Sequence, residues 1–292
     1  MSTFKKKNTS KLIIGTANFN NTYGINNKKI NLILLNKILN YLKNNQLNDL
    51  DCAEAYNSID LLKDANLDFE YLNINHKLSF PKKNQHDFYS FFFEDLYKLN
   101  LQCYNIFFIH NIDAIKKSYK NIIQDILFLK NKKFIKKIGV SVYDFKEYKK
   151  YIQYIKPDIV QAPINILDQE FLNKDNLAIL KENKTKIVAR SVFLQGLLLS
   201  DKKPNNSKLI KLFTYKNNIY QNRPYNFTNL EFSLTPFLKN KNIYKIIVGI
   251  DDLHQLKDLI NIEKNIDKYP NIKISNLKYD KRDKYILKPK NW

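Results

Sequence analysis

Four side chains within the first 110 residues have the types needed to move a proton. Asp51 closes the short candidate strand Leu47 to Asp51, and Tyr56 follows in Asp51-Cys52-Ala53-Glu54-Ala55-Tyr56. In Tyr71-Leu72-Asn73-Ile74-Asn75-His76-Lys77, strand alternation places Asn73, Asn75 and Lys77 on one face and His76 on the other. The run Ile106-Phe107-Phe108-Ile109-His110 puts its terminal histidine on the face of Ile106 and Phe108. A phenol titrates near about 10. A lysine ammonium about 4 Å away, at an effective dielectric near 20, is worth roughly 4 kcal/mol, about three pK units toward the phenolate. On this reading Lys77 makes Tyr56 a usable acid, Asp51 keeps Lys77 charged, and His110 steers a substrate carbonyl. Each residue alone has a plainer reading: Asp51 as a turn or cap, Tyr56 as a half-buried aromatic, Lys77 as a solvated strand end, His110 as a core histidine. Their arrival at the ends of successive strands favours the chemistry.

Those ends must be brought together. Short β-branched or aromatic runs predict eight strands: Lys11 to Gly15, Leu47 to Asp51, Leu72 to Lys77, Asn105 to His110, Lys137 to Ser141, Asp158 to Ala162, Lys186 to Ser191 and Ile243 to Gly249. Helical spacing predicts Asn31 to Gln46, Ser58 to Ala65, Gln85 to Leu99, Ala114 to Lys130, Phe145 to Ile155, Glu170 to Lys181, Thr228 to Leu238 and Leu253 to Ile266. Eight strand-helix units in 292 residues predict an α/β fold, a single (β/α)8 TIM barrel, with chemistry at the carboxyl ends of the strands. No composition break divides the chain, so residues 1–292 are expected as one barrel domain with 269–292 as a tail. Gly15, Gly139, Gly196 and Gly249 fall at or near strand ends, where a backbone turns sharply or approaches a neighbour.

A hydrophobic content of 44% supports a large core. The opening Met1 to Lys11 is polar and no signal-like apolar segment follows, since Leu12-Ile13-Ile14 stops at Gly15. No run suits a membrane helix. With only Cys52 and Cys103, the expectation is a reduced, cytoplasmic protein. The net charge of +21 suggests a nucleic-acid partner, but only Arg190, Arg223 and Arg282 among 49 basic residues are arginine. Readers of phosphate and base edges lean on arginine's fork. The lysines are spread along the chain, so the charge is read as compositional drift and not as a nucleic-acid patch.

The chain resembles the aldo-keto reductases, nicotinamide-dependent barrel enzymes with an Asp, Tyr, Lys and His tetrad. Leu12-Ile13-Ile14-Gly15-Thr16-Ala17 opens the resemblance, and Asp51 to Tyr56 is similar to the family's Asp-Thr-Ala-x-x-Tyr signature. Lys77 and His110 fall at the family's lysine and histidine. Ile138-Gly139-Val140-Ser141-Val142, Val160-Gln161-Ala162-Pro163-Ile164-Asn165, Ala189-Arg190-Ser191-Val192-Phe193-Leu194-Gln195-Gly196 and Val248-Gly249-Ile250-Asp251 with Gln255 resemble later segments in the same order. The resemblance implies reduction of a small-molecule carbonyl with NADP(H) or NAD(H). It also implies that Ser141 and Gln161 hold the nicotinamide carboxamide, that Ser191, Leu194 and Gly196 line the pyrophosphate region, and that Arg190, Gly249, Asp251 and Gln255 complete the cofactor site. A Gly-x-Gly-x-x-Gly turn is absent, so a Rossmann reading has no support.

Three departures bear on that expectation. Val142 stands where relatives often carry Asn, removing a polar contact to the carboxamide. Arg190 occupies a position that frequently carries an aromatic; its guanidinium can stack or reach a substrate anion. Asp251 and Asp252 lie where users of NADPH place basic or hydroxyl groups, which favours an unphosphorylated ribose, although Asp252 can equally cap the last helix. Lys202 and Lys203 can clamp phosphates or form a solvated loop. Tyr285 and Trp292 are candidates for a pocket wall. A helical pattern begins almost at once after His110, leaving a mouth suited to a bulky or polar substrate such as a sugar. The rival reading is a nucleotide-binding regulatory protein on the same barrel that reduces nothing.

Overall fold

The structure is a computed structural model and describes residues 10–25, 28–65, 71–274 and 281–292. Residues 1–9 of the polar opening and 275–280 of the tail lie outside the described residues.

Eight parallel strands close into one barrel in chain order: β1 (Leu12–Gly15), β2 (Asp49–Ala53), β3 (Asn73–Leu78), β4 (Tyr104–Ile109), β5 (Ile135–Ser141), β6 (Ile159–Pro163), β7 (Lys186–Arg190) and β8 (Ile243–Val248). β1 pairs with both β2 and β8, which leaves the sheet no edge. The helices are α1 (Leu32–Asn44), α2 (Ser58–Lys63), α3 (Gln85–Lys98), α4 (Ile112–Lys116), α5 (Ile122–Asn131), α6 (Phe145–Tyr151), α7 (Lys174–Glu182), α8 (Ser207–Tyr220), α9 (Asn229–Lys239) and α10 (Leu253–Lys264). The expected (β/α)8 barrel is therefore the observed fold. No helix among the described residues is long and apolar enough to cross a membrane.

Alternation along the strands makes two cores. Residues facing outward, such as Ile14, Leu50, Phe107 and Val160, join the helices in the larger one. Ile13, Ile106, Phe108, Ile159 and Val188 face inward and fill the lumen. Gly139 belongs to this inner face; a Cβ there would lie 2.3 Å from the Phe108 ring, so β5 yields side-chain volume to the aromatic. Gly249 differs from expectation: a Cβ there meets nothing within 4 Å. Below the apolar layer, Lys245 pairs with Asp49.

Helix starts follow local chemistry. Asn31, Asn84, Asp144, Asn173, Thr228 and Asp252 each accept a backbone N–H from the first turn, and Thr228 with Glu231 forms a capping box. The helix expected over Ala114 to Lys130 is broken in two. Ser118 sits in the gap, where its Oγ accepts from Lys82 N at 3.0 Å. Helix α8 was not expected from the sequence. Its buried stripe is Leu212, Lys216 and Ile219, so a lysine interrupts the apolar period. Lys216 is held by the Ser200 carbonyl and lies near the rings of Phe213 and Tyr220.

Candidate active site

The inward alternation that fills the lumen carries upward into a polar layer. Two residues beyond Ile159 comes Gln161, and two beyond Val188 comes Arg190; Ser141 ends β5 and Lys77 stands one residue before the end of β3 in the same sense, while Asp51 lies in the middle of β2, which runs two residues past the end expected for it. Registers align them across neighbouring strands: Asp51 opposite Asn75, Ala53 opposite Lys77, Ser141 opposite Gln161 and Pro163 opposite Arg190. His110 lies one residue past β4, exposed, and Asn111 then caps α4.

Asp51 and Lys77 are both buried, and Lys77 Nζ lies 2.5 Å from Asp51 Oδ2. Gln161 Nε2 donates to Asp51 Oδ1 at 2.8 Å, and Ser141 Oγ donates to Gln161 Oε1 at 3.2 Å. Lys77 Nζ also lies 5.4 Å from the centre of the Tyr56 ring and 5.7 Å from that of Phe108. Burial works against the Lys77 charge, but Asp51 and the neighbouring phenol outweigh it and raise its pKa, so the amine stays protonated.

The expected depression of the Tyr56 pKa does not appear. The Lys77 ammonium is the largest single influence and pulls the phenol down, helped by Arg190. Burial, Asp51 and Tyr23 together push harder in the other direction, and the net shift is upward. A half-buried phenol beside an already neutralised ammonium thus keeps its proton at neutral pH.

Of the residues expected around a nicotinamide, Ser141 and Gln161 meet, and Val142 is buried beside them. Arg190 lies over the Tyr143 ring, 4.5 Å from its centre. It donates through Nη2 to the Val142 carbonyl at 3.0 Å and through Nη1 to Ser191 Oγ at 3.2 Å. The loop after β7 holds Ser191, Leu194 and Gln195 at positive φ before Gly196, a backbone course that L-residues adopt only when their surroundings impose it. The segment after β1 supplies part of that constraint. Ile25 N donates to the Gln195 carbonyl at 3.0 Å, and Gln195 Nε2 donates to Tyr23 Oη at 3.1 Å. At the end of β8, Asp252 caps α10 by accepting Gln255 N at 2.9 Å, which fits the plainer of its two readings. Gln255 Oε1 accepts from Asp251 N at 2.8 Å, and Asn18 Nδ2 reaches Asp251 Oδ1 at 3.4 Å.

Other expectations resolve simply. His76 faces the helices, buried and stacked on Tyr104 at 5.0 Å, and burial with the nearby lysines pushes its pKa down to about 3. Lys202 and Lys203 lie in an exposed loop, as the solvated reading requires. Tyr285 is exposed, while Ile286 and Leu287 in the same short helical turn over Lys281–Leu287 are buried. Trp292 packs on the outer core and donates to the Ile286 carbonyl at 2.7 Å. The tail reaches the rim through Lys288, which pairs with Asp144 at 2.8 Å and lies 5.7 Å from the Tyr143 ring centre. Sequence reasoning missed Tyr143, although inward alternation two residues beyond Ser141 points to it. It also missed Asn18, Asn21 and Tyr23, for which loop sequence carries no signal; Asn21 Nδ2 donates to the Tyr56 carbonyl.

The sequence profile described as the aldo/keto reductase family matches residues 11–231. Among solved structures, aldo-keto reductase AKR11C1 from Bacillus halodurans superposes with a TM-score of 0.72 at 15% identity, covering 92% of this chain and 94% of that one. The thermostable aldo-keto reductase Tm1743 gives 0.63 at 17% identity, covering 95% and 93%. The glycerol dehydrogenase AKR11B4 from Gluconobacter oxydans gives 0.63 at 14%, covering 96% and 90%. At such identities the superpositions speak for the fold. No curated sequence matches the chain significantly.

Proposed function

Because the chain belongs to the aldo/keto reductase family, we propose that it reduces the carbonyl of a small-molecule substrate, an aldehyde, ketone or sugar-like compound, to an alcohol with a nicotinamide cofactor, and that Tyr56 donates the proton. One observation carries the assignment of roles: a buried Asp51–Lys77 pair on the inner face of β2 and β3, with the ammonium beside the Tyr56 ring. The residues present suit a nicotinamide. Ser141 and Gln161 offer a donor and an acceptor matched to a primary amide, and one of the two N–H groups of Gln161 is already spent on Asp51. The positive φ of Ser191, Leu194, Gln195 and Gly196 suits backbone binding of a pyrophosphate. When bound, the nicotinamide supplies the hydride.

The protein's own part is acid catalysis. Tyr56 arrives with its proton on, since its pKa lies above the ordinary phenol range. A carbonyl oxygen that gains negative charge becomes a far stronger base than a phenolate, so a neutral phenol is the correct ground state for a donor. Lys77 then acts on the product side of the transfer, stabilising the phenolate as it forms. Asp51 keeps that ammonium in place and charged. His110, exposed at the end of β4, hydrogen-bonds the carbonyl and selects its orientation. By the family resemblance the segment carrying Asp251 and the capping Asp252 is the one that meets the 2′ position of the ribose, and two carboxylates there favour NADH over NADPH.

Rapid-mixing oxidation of bound NADH by a panel of aldehydes and keto sugars tests the reading; loss of cofactor absorbance is expected. The buried Val142 favours a second reading, a nucleotide-binding regulatory protein on the same barrel, because it offers the carboxamide no polar contact. That reading expects nucleotide binding with no oxidation by any carbonyl.

A further inference from the structure

Among the described residues, Lys77, Lys288 and Arg190 bring cationic side chains to the barrel mouth, and the first two are neutralised. Lys77 is paired with Asp51 at 2.5 Å and Lys288 with Asp144 at 2.8 Å. Arg190 forms no ion pair among the described residues. Its hydrogen-bond partners are a carbonyl and a hydroxyl, and its face rests on the neutral ring of Tyr143. A guanidinium carries five N–H donors, and two are used here. The group is half-buried, so it has lost part of its hydration without gaining a counter-charge. Such a cation is held in readiness for an anion that arrives from outside.

Its position says what that anion accompanies. Arg190 ends β7 on the inward face, and its reach to the Val142 carbonyl carries the guanidinium over the end of β6 toward β5. In a closed barrel of eight strands these lie across the mouth from β2 and β3, which carry Asp51, Lys77 and the loop of Tyr56. The positive charge of Arg190 also favours ionisation of Tyr56, so the two groups act on the same space. Tyr143 packs on the guanidinium with its ring centre 4.5 Å away, and three of the five N–H donors remain for the contacts that carboxylates and phosphates make.

We infer that Arg190 is a specificity residue that selects carbonyl substrates bearing an anionic oxygen group, a carboxylate or a phosphate, and anchors that group across the mouth from Tyr56. The inference rests on the reductase reading above and narrows its substrate class. Steady-state reduction at saturating cofactor tests it with two matched pairs, 4-carboxybenzaldehyde against its methyl ester and glyceraldehyde 3-phosphate against glyceraldehyde. The expected result is a preference in kcat/KM for the charged member of at least one pair by about tenfold or more, expressed in KM. Whichever pair shows it identifies the anion. In Arg190→Gln that ratio should collapse toward one, while Arg190→Lys should restore part of it. Cofactor affinity, measured separately by fluorescence, keeps a cofactor role from masquerading as substrate selection. Equal rates within both pairs, or a preference unchanged in Arg190→Gln, would overturn the inference. If no aldehyde oxidises the cofactor, it is the reductase reading that fails. Calorimetric titration with benzoate against benzamide then decides the anion site, with benzoate binding lost in Arg190→Gln expected and no benzoate binding contradicting it.

Discussion

Gln161 on β6 donates to Oδ1 of Asp51 on β2 at 2.8 Å, so two side chains from opposite sides of the barrel meet at its centre. Asp51 thereby has one oxygen on Gln161 and the other on Lys77. Ser141 holds the far end of the same amide at 3.2 Å. Ser141 and Gln161, proposed to bind the nicotinamide, therefore form one hydrogen-bonded chain with Asp51 and Lys77, whose ammonium lies beside the Tyr56 ring.

Replacing Gln161 by Leu should therefore be felt twice. The buried Oδ1 of Asp51 loses its donor, and an unsatisfied buried acceptor costs about 1–3 kcal/mol. Thermal unfolding should register that loss, and fluorescence titration should register weaker cofactor binding.

The Asp51–Lys77 pair is buried on both sides, so removing one partner strands a charge. Lys77→Met should cost about 3–5 kcal/mol in urea unfolding. Adding Asp51→Asn to that variant should recover part of the stability, because no uncompensated carboxylate remains. Additive losses would contradict the pairing.

The direction of the Tyr56 shift sets a pH dependence. Its pKa is raised, so the protonated donor is present at neutral pH and is lost only as pH climbs through a value above the ordinary phenol range of about 10. Carbonyl reduction limited by proton transfer should stay level through neutral pH and decline above pH about 10, whereas alcohol oxidation, which needs the phenolate, should rise over the same window. Lys77 is also shifted upward, by Asp51 and the phenol against its burial, and so is charged at neutral pH. A reduction profile falling between pH 6 and 8 would contradict the assignment.

Cofactor choice follows from the end of β8. Asp251 stands next to the capping Asp252 and holds Asn18 at 3.4 Å. NADH should bind more tightly than NADPH, and Asp251→Ser should narrow the gap chiefly by strengthening NADPH. Paired fluorescence titrations measure both.

The barrel was legible because strand alternation and helix spacing are local signals that each unit repeats. The same alternation put Lys77 on the lumen face, whereas Ser141, Gln161 and Arg190 were legible only through the family resemblance, and Asp51 lies in the middle of β2 and not at its end. Helix α8 escaped notice because Lys216 takes an apolar position and is satisfied by the Ser200 carbonyl, a contact that only the folded chain creates. The direction of the Tyr56 pKa shift escaped for a related reason. A Coulomb estimate from residue types included Lys77 but not the burial, Asp51 and Tyr23 that outweigh it. The pinning of the β7 loop by Tyr23 and Ile25 depends on loop geometry, which residue pattern does not encode.

The central claim is that the phenol of Tyr56 donates a proton under the influence of Lys77. Rapid mixing of NADH-loaded protein with a reducible aldehyde, compared between wild type and Tyr56→Phe, tests it most directly. Wild type should oxidise the cofactor, and Tyr56→Phe should bind NADH nearly as well yet oxidise it about 10²–10⁴ times more slowly. Equal oxidation rates in the two proteins would contradict the account.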